Sequence, residues 1–152
     1  MPEIKLALTD HSRVVDFDFD KPQHTMNEIL QAGHNPDGAY YYGTDISVHP
    51  DYRRKGLGRK LYEKRKEVVR RHNRQGIVAG GFIPGFARHK ANMTVEDYVA
   101  RVVAGDLYDP TLSMQLHNGF EVRGILSNYM SVGNSDGYAT LIVWPNPEYK
   151  EL

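Results

Sequence analysis

The chain has 152 residues, with 19 Lys/Arg balanced by 19 Asp/Glu and no cysteine. Balanced charge excludes a polyelectrolyte that binds by bulk attraction, and the absence of thiols excludes a disulfide framework, a thiolate nucleophile and a cysteine metal site. With no signal peptide and no apolar run approaching membrane-spanning length, the sequence reads as one cytoplasmic domain over residues 1–152.

Residues 4–8 and 13–19 read as two strands joined by the turn Thr9-Asp10-His11-Ser12. In the second strand Val15, Phe17 and Phe19 alternate with Asp16, Asp18 and Asp20, giving one apolar and one acidic face. A calcium loop would also space aspartates this way, but the glycine and later glutamate it needs are missing. Thr25-Met26-Asn27-Glu28 is a capping-box pattern opening a short helix through Gln31, with Gly33 as its stop. A loop through Asn35-Pro36-Asp37-Gly38 leads into a strand over residues 40–48, rich in aromatic and β-branched residues and ended by His49-Pro50.

The turn Arg53-Arg54-Lys55-Gly56-Leu57-Gly58 follows and opens a long helix. Glycines there let backbone N–H groups approach a ligand that a β-carbon would keep away. The unpaired amides and positive dipole end of the helix point into the same space. Arg53, Arg54, Lys55, Arg59 and Lys60 add formal charge, so the turn reads as an anion cradle, best suited to phosphates. Residues 53–74 hold eleven Lys/Arg against two acids. Leu57, Leu61, Arg65, Val68, Val69 and His72 make the inward stripe of the helix, with Lys66 on the solvent side. Pairs at i,i+4, Arg59–Glu63 and Glu67–Arg71, support it, and Gly76 ends it. Residues 77–82 then read as a strand parallel to the one at 40–48, completing a β-α-β crossover.

Further on, Thr94 caps a helix reaching Ala104 and stopped by Gly105. Asp109-Pro110 reads as an N-cap and N1 proline opening a helix to His117. Strands over residues 120–126 and 138–144 flank a loop at 131–137. The seven histidines show no paired helical spacing with a third ligand, so no metal site is expected.

Neither the P-loop nor the dinucleotide fingerprint fits the turn, because Leu61 stands where a third glycine would be and no Lys-Ser or Lys-Thr pair follows. Arg53-x-x-Gly56-x-Gly58, preceded by Val48-His49-Pro50, instead resembles the Arg/Gln-x-x-Gly-x-Gly/Ala pyrophosphate loop of the GNAT superfamily of N-acetyltransferases. Gly119-Phe120 after the last helix, then two antiparallel strands, extends the likeness over roughly residues 3–148. Val78-Ala79-Gly80-Gly81 and Leu107-Tyr108-Asp109-Pro110 further resemble a branch whose acetyltransferase domain is often fused to a carbon–nitrogen hydrolase.

The resemblance implies an α+β fold, a GNAT-type mixed sheet with a central β-α-β coenzyme A-binding unit. It would lack the usual amino-terminal strand and two helices. It further implies acetyl-CoA as cosubstrate and an amine of a small molecule or peptide as acceptor, with direct attack on the thioester. Backbone groups of Ile46, Ser47 and Val48 would pair with the pantetheine arm between splayed strands, and amides from Arg54 to Arg59 would hold the pyrophosphate. A backbone N–H near Val48 would stabilise the oxyanion. The family's tyrosine acid falls at Gln115 here, which leaves Tyr108, Ser113 and His117 as substitutes. Asp45 and His49 are the alternative bases, and Arg88 and His89 could line the acceptor mouth. A non-catalytic acyl-CoA sensor is the competing reading, and no nucleic-acid motif is present. A chain starting at a hairpin would leave strand edge uncovered, so a homodimer is expected.

Overall fold

Five strands form one mixed sheet in the computed structural model, which describes residues 13–15, 37–43, 49–129 and 136–152. They are β1 (Arg13–Val15), β2 (Tyr40–Gly43), β3 (Gly76–Gly81), β4 (Glu121–Leu126) and β5 (Ala139–Pro145), in the order β1-β2-β3-β5-β4. β2 and β3 pair in parallel from Tyr40↔Gly76 to Gly43↔Ala79, and the other neighbours are antiparallel. A parallel pair needs a crossover, supplied by helix α1 (Leu57–Arg71). This is the expected β-α-β unit in a mixed α+β sheet. The first strand, most of the second, the helix near residue 25 and any missing leading elements lie outside the described residues.

Helix α1 differs from its sequence reading in three ways. Tyr62, Arg65, Lys66 and Val69 are buried, whereas His72 is exposed. Lys66 turns inward because its stem packs while its ammonium stays satisfied. Its Nζ donates to the Asn118 carbonyl at 2.6 Å, pairs with Glu63 at 3.3 Å and lies 5.4 Å from the Trp144 ring centroid. The acids of α1 pair at i,i+3 rather than i,i+4, as Lys64–Glu67 at 3.1 Å and Lys66–Glu63. Gly76 does not end the helix. Asn73 does, with φ 49°, while its N–H bonds the Arg70 carbonyl and the Arg74 N–H bonds that of Val69. Gly76 instead starts β3, where a β-carbon would come within 2.2 Å of the Trp144 carbonyl oxygen.

Helix α2 (Val95–Ala104) begins and ends as its sequence signals: Thr94 Oγ1 accepts from the Asp97 N–H, and Gly105 closes it at φ 84°. Helix α3 (Leu112–His117) starts after Asp109-Pro110, and Asp109 still caps it. Asp109 Oδ1 accepts from the N–H groups of Thr111 and Leu112, both at 2.9 Å. Its Oδ2 accepts from the Tyr98 hydroxyl at 2.7 Å and the Gly85 N–H at 2.9 Å. This fully buried carboxylate joins α2, α3 and the turn after β3.

Tyr62, Val69, Ile77, Tyr98, Leu112 and Ile142 form the core between the helices and one sheet face, while Tyr42, Val78, Leu126, Tyr129 and Val143 pack on the other. Among the described residues no helix is long and apolar enough to cross a membrane.

Candidate functional site

The start of α1 combines a glycine turn, open helix amides and a run of exposed cations. Its N-cap, Gly56, has φ 75° and brings no side-chain hydrogen bond to the helix. The Lys60 N–H makes the first helical bond, to the Gly56 carbonyl at 3.1 Å, so the amides of Leu57, Gly58 and Arg59 have no acceptor within the helix. Arg54 is also left-handed, at φ 63°. Two residues of positive φ thus flank Lys55 in the turn that leads into the helix. Arg53, Arg54, Lys55, Arg59 and Lys60 are all exposed around it, while Leu57 and Gly58 are half-buried. A phosphate group would meet the helix-end amides, the helix dipole and exposed cations together.

A cavity of about 210 Å³ opens where β3 runs past Gly43↔Ala79, its last described pair with β2. Arg65 and Tyr62 from α1, Gln115 and Met114 from α3, and Tyr129 after β4 line it. The Gly80-Gly81 end of β3 makes this packing possible. A β-carbon at Gly80 would lie 2.2 Å from the Tyr129 ring, and one at Gly81 would lie 2.7 Å from Gln115 Oε1. Gln115 faces the Tyr62 hydroxyl with one side of its amide, while its Oε1 is buried without a hydrogen-bond partner. Burial pushes the Tyr62 pKa up, and the Gln115 hydrogen bond and the Arg65 charge partly oppose that rise. The phenol therefore stays protonated through neutral pH.

The structure places the expected site residues in three groups. Asp45, Ile46, Ser47 and Val48, with the point where β2 and β3 would splay, lie outside the described residues. His49 stands just before the cradle, exposed, with Nδ1 accepting from the Asp51 N–H at 3.2 Å and lying 3.6 Å from the Asp51 carboxylate. Tyr108 is 73% exposed and lines a surface groove between α2 and α3 with Ser113 and His117. None of these three is among the described residues lining the Gln115 cavity. Arg88 is exposed, and His89 packs against Tyr98 at a centroid distance of 5.5 Å. Among the described residues no cluster of His, Asp and Glu could hold a metal ion.

Sequence reasoning did not assign Tyr62, Arg65 or Tyr129 to the site. Arg65 carried a usable signal, a charge within an apolar stripe, and Gly80-Gly81 marked a close approach. Tyr129 carried none.

Comparison with known proteins agrees with this architecture. The model of the acetyltransferase (GNAT) family matches residues 23–82. The chain is 41% identical over 143 residues to "Probable hydrolase YhcX" of Bacillus subtilis (strain 168), covering 91% of this chain and 28% of that protein. It is 32% identical over 142 residues to "Uncharacterized N-acetyltransferase YkwB" of the same organism, covering 91% and 63%. The chain thus spans less than two thirds of either curated relative. Two solved structures share the fold. One is "GphF GNAT-like decarboxylase in complex with isobutyryl-CoA", with TM-score 0.76, 22% identity and 89% of this chain covered against 70% of that one. The other is the loading GNATL domain of CurA from Lyngbya majuscula, with TM-score 0.77, 17% identity and coverage of 89% and 68%. Loop motif, crossover, family model and fold converge on the GNAT superfamily.

Proposed function

We propose that residues 1–152 form one acyltransferase domain that binds an acyl-coenzyme A, acetyl-CoA in the simplest case, and passes its acyl group directly to an amine in the cytoplasm. The uncapped, glycine-turned start of α1 carries this reading. It offers the pyrophosphate three helix-end amides, a left-handed turn and five exposed cations. The isobutyryl-CoA bound by the decarboxylase of the same fold supports this choice of ligand. With the phosphates at the cradle, the arm runs along the segment after β2, through Ile46, Ser47 and Val48, and the thioester reaches the cavity beside Gln115.

The chemistry is then attack of a neutral amine nitrogen on the thioester carbonyl, collapse of the tetrahedral intermediate and departure of the coenzyme A thiolate. An alkylammonium with pKa near 10.4 is only about one part in a thousand neutral at pH 7.4, so the amine proton must be taken up. Asp45 and His49 are the groups proposed for that role. Tyr108, in its separate groove, is the more remote candidate acid. A thiolate is a tolerable leaving group near pKa 8.5, so transfer can proceed without an acid at position 115.

Turnover tests the reading. The purified chain is mixed with acetyl-CoA and a panel of primary amines, and thiol release is followed with a disulfide dye; the cysteine-free chain gives no background. Amine-dependent thiol release is expected. Binding of acetyl-CoA with no release for any amine would favour the second reading, a non-catalytic acyl-CoA sensor, which Gln115 at the family's tyrosine position already favours.

A further inference from the structure

We infer that the cavity at the end of β3 is an acyl subsite for a short acyl chain that ends in a carboxylate, recognised by the Arg65 guanidinium. This rests on the acyl-coenzyme A reading and names the substrate class for the same site.

Arg65 places a charge on the buried stripe of α1. It is only 7% exposed, on the same side of the helix as Tyr62 and Val69, and taking a guanidinium out of water is costly unless its donors are used. Its charged end, and not only its stem, lies at the cavity wall. A β-carbon built on Gly43 would come within 3.1 Å of Arg65 Nη1, and Gly43 and Arg65 both line the cavity. The guanidinium thus stands at the last described pair of β2 with β3, beside the proposed path of the thioester. It carries five N–H donors, so contacts within the fold need not exhaust them.

The cavity holds about 210 Å³, more than the roughly 150 Å³ void that accommodates benzene. A malonyl or succinyl group has about as many heavy atoms as benzene, and acetyl about half as many. Ile77, Phe120 and Ile142 give a wall for methylene carbons, and no acidic residue is among the described residues lining the cavity. The available ligand chemistries then separate. An alkyl chain covers the guanidinium and gives it nothing in return. An ammonium is repelled by it. A hydroxyl meets it with a single neutral acceptor. A carboxylate accepts two N–H bonds from the planar fork that arginine presents, and it cancels the charge where salt screens little. Tyr62, on the same lining and protonated through neutral pH, brings a neutral phenol and no competing anion.

Calorimetric titration of the intact chain with coenzyme A, butyryl-CoA, malonyl-CoA and freshly prepared succinyl-CoA tests this. Malonyl- or succinyl-CoA, whichever chain length spans the gap, should bind at least about 10-fold more tightly than butyryl-CoA. Raising salt to about 0.5 M weakens every ligand at the exposed cradle but should change that ratio by no more than about 2-fold, because a buried charge takes up the carboxylate. In Arg65→Met the carboxylated and butyryl thioesters should bind within about 2-fold of each other. Butyryl-CoA binding as tightly as both carboxylated thioesters, a preference that salt abolishes, or one that survives in Arg65→Met would overturn the inference. The wild-type comparison at low and high salt stands even if the variant does not fold. Failure of coenzyme A to bind the wild type would strike the acyl-coenzyme A reading itself, a different result from binding without discrimination.

Discussion

Replacing Asp109 with alanine removes acceptors from four donors at once. Two of them, the Thr111 and Leu112 amides, lie at the start of α3, and losing such a cap costs about 1 kcal/mol. The other two, the Tyr98 hydroxyl and the Gly85 amide, meet in a site with no water access at Asp109. Leaving a buried donor unsatisfied costs about 1–3 kcal/mol, and rearrangement of the freed groups recovers part of it. The expected loss is about 3–4 kcal/mol, or a fall in Tm of roughly 6–16 °C for a domain of this size. Asp109→Asn should lose less, about 2 kcal/mol, because its carbonyl can keep the cap and the Tyr98 phenol can turn to accept. Urea unfolding followed by tryptophan fluorescence measures both, through the single Trp144. A loss under 1 kcal/mol for Asp109→Ala would refute the view that this carboxylate clamps α2, α3 and the turn after β3.

Burial, then the Asp109 hydrogen bond and charge, raise the Tyr98 pKa above its ordinary value, so its contribution is intact below pH 10 and is lost as pH rises from there towards the raised native value. Wild-type stability should therefore fall above pH 10 by up to about 1.4 kcal/mol per pH unit from this residue, and Tyr98→Phe should show a shallower alkaline slope in pH-dependent unfolding. Gly80→Ala places a methyl on the Tyr129 ring and should cost about 1–3 kcal/mol by overpacking, read by thermal melting. A homodimer at high micromolar concentration is the expected result of light scattering, and a monomer there would refute it.

The β-α-β unit was legible because its signals are local: a run of β-formers, a glycine turn, a helical stripe and a second run. The caps at Thr94 and Gly105 were legible for the same reason. The inward turn of Lys66 was not, because it depends on the Asn118 carbonyl, distant in sequence, and on Trp144. The end of α1 at Asn73 was missed because Gly76 offered the stronger textual stop, while its true constraint is the Trp144 carbonyl across β5. At the site, the cradle could be read as a motif. The cavity could not, since Arg65, Gln115 and Tyr129 meet only once the sheet places α1, α3 and the end of β4 around Gly80-Gly81.

Coenzyme A binding to wild type and to Gly56→Asp bears on the cradle without requiring an acceptor. A β-carbon at Gly56 meets nothing within 4 Å, so the variant should fold, at about 1 kcal/mol for the left-handed backbone. Gly56→Asn carries the same backbone strain without the charge. At a ligand concentration of about 100 times Kd, wild type should gain about 2.7 kcal/mol, raising Tm by roughly 5–10 °C. Gly56→Asp should show no shift and Gly56→Asn a reduced one. A wild-type-sized shift in Gly56→Asp would contradict the assignment of the phosphates to this turn.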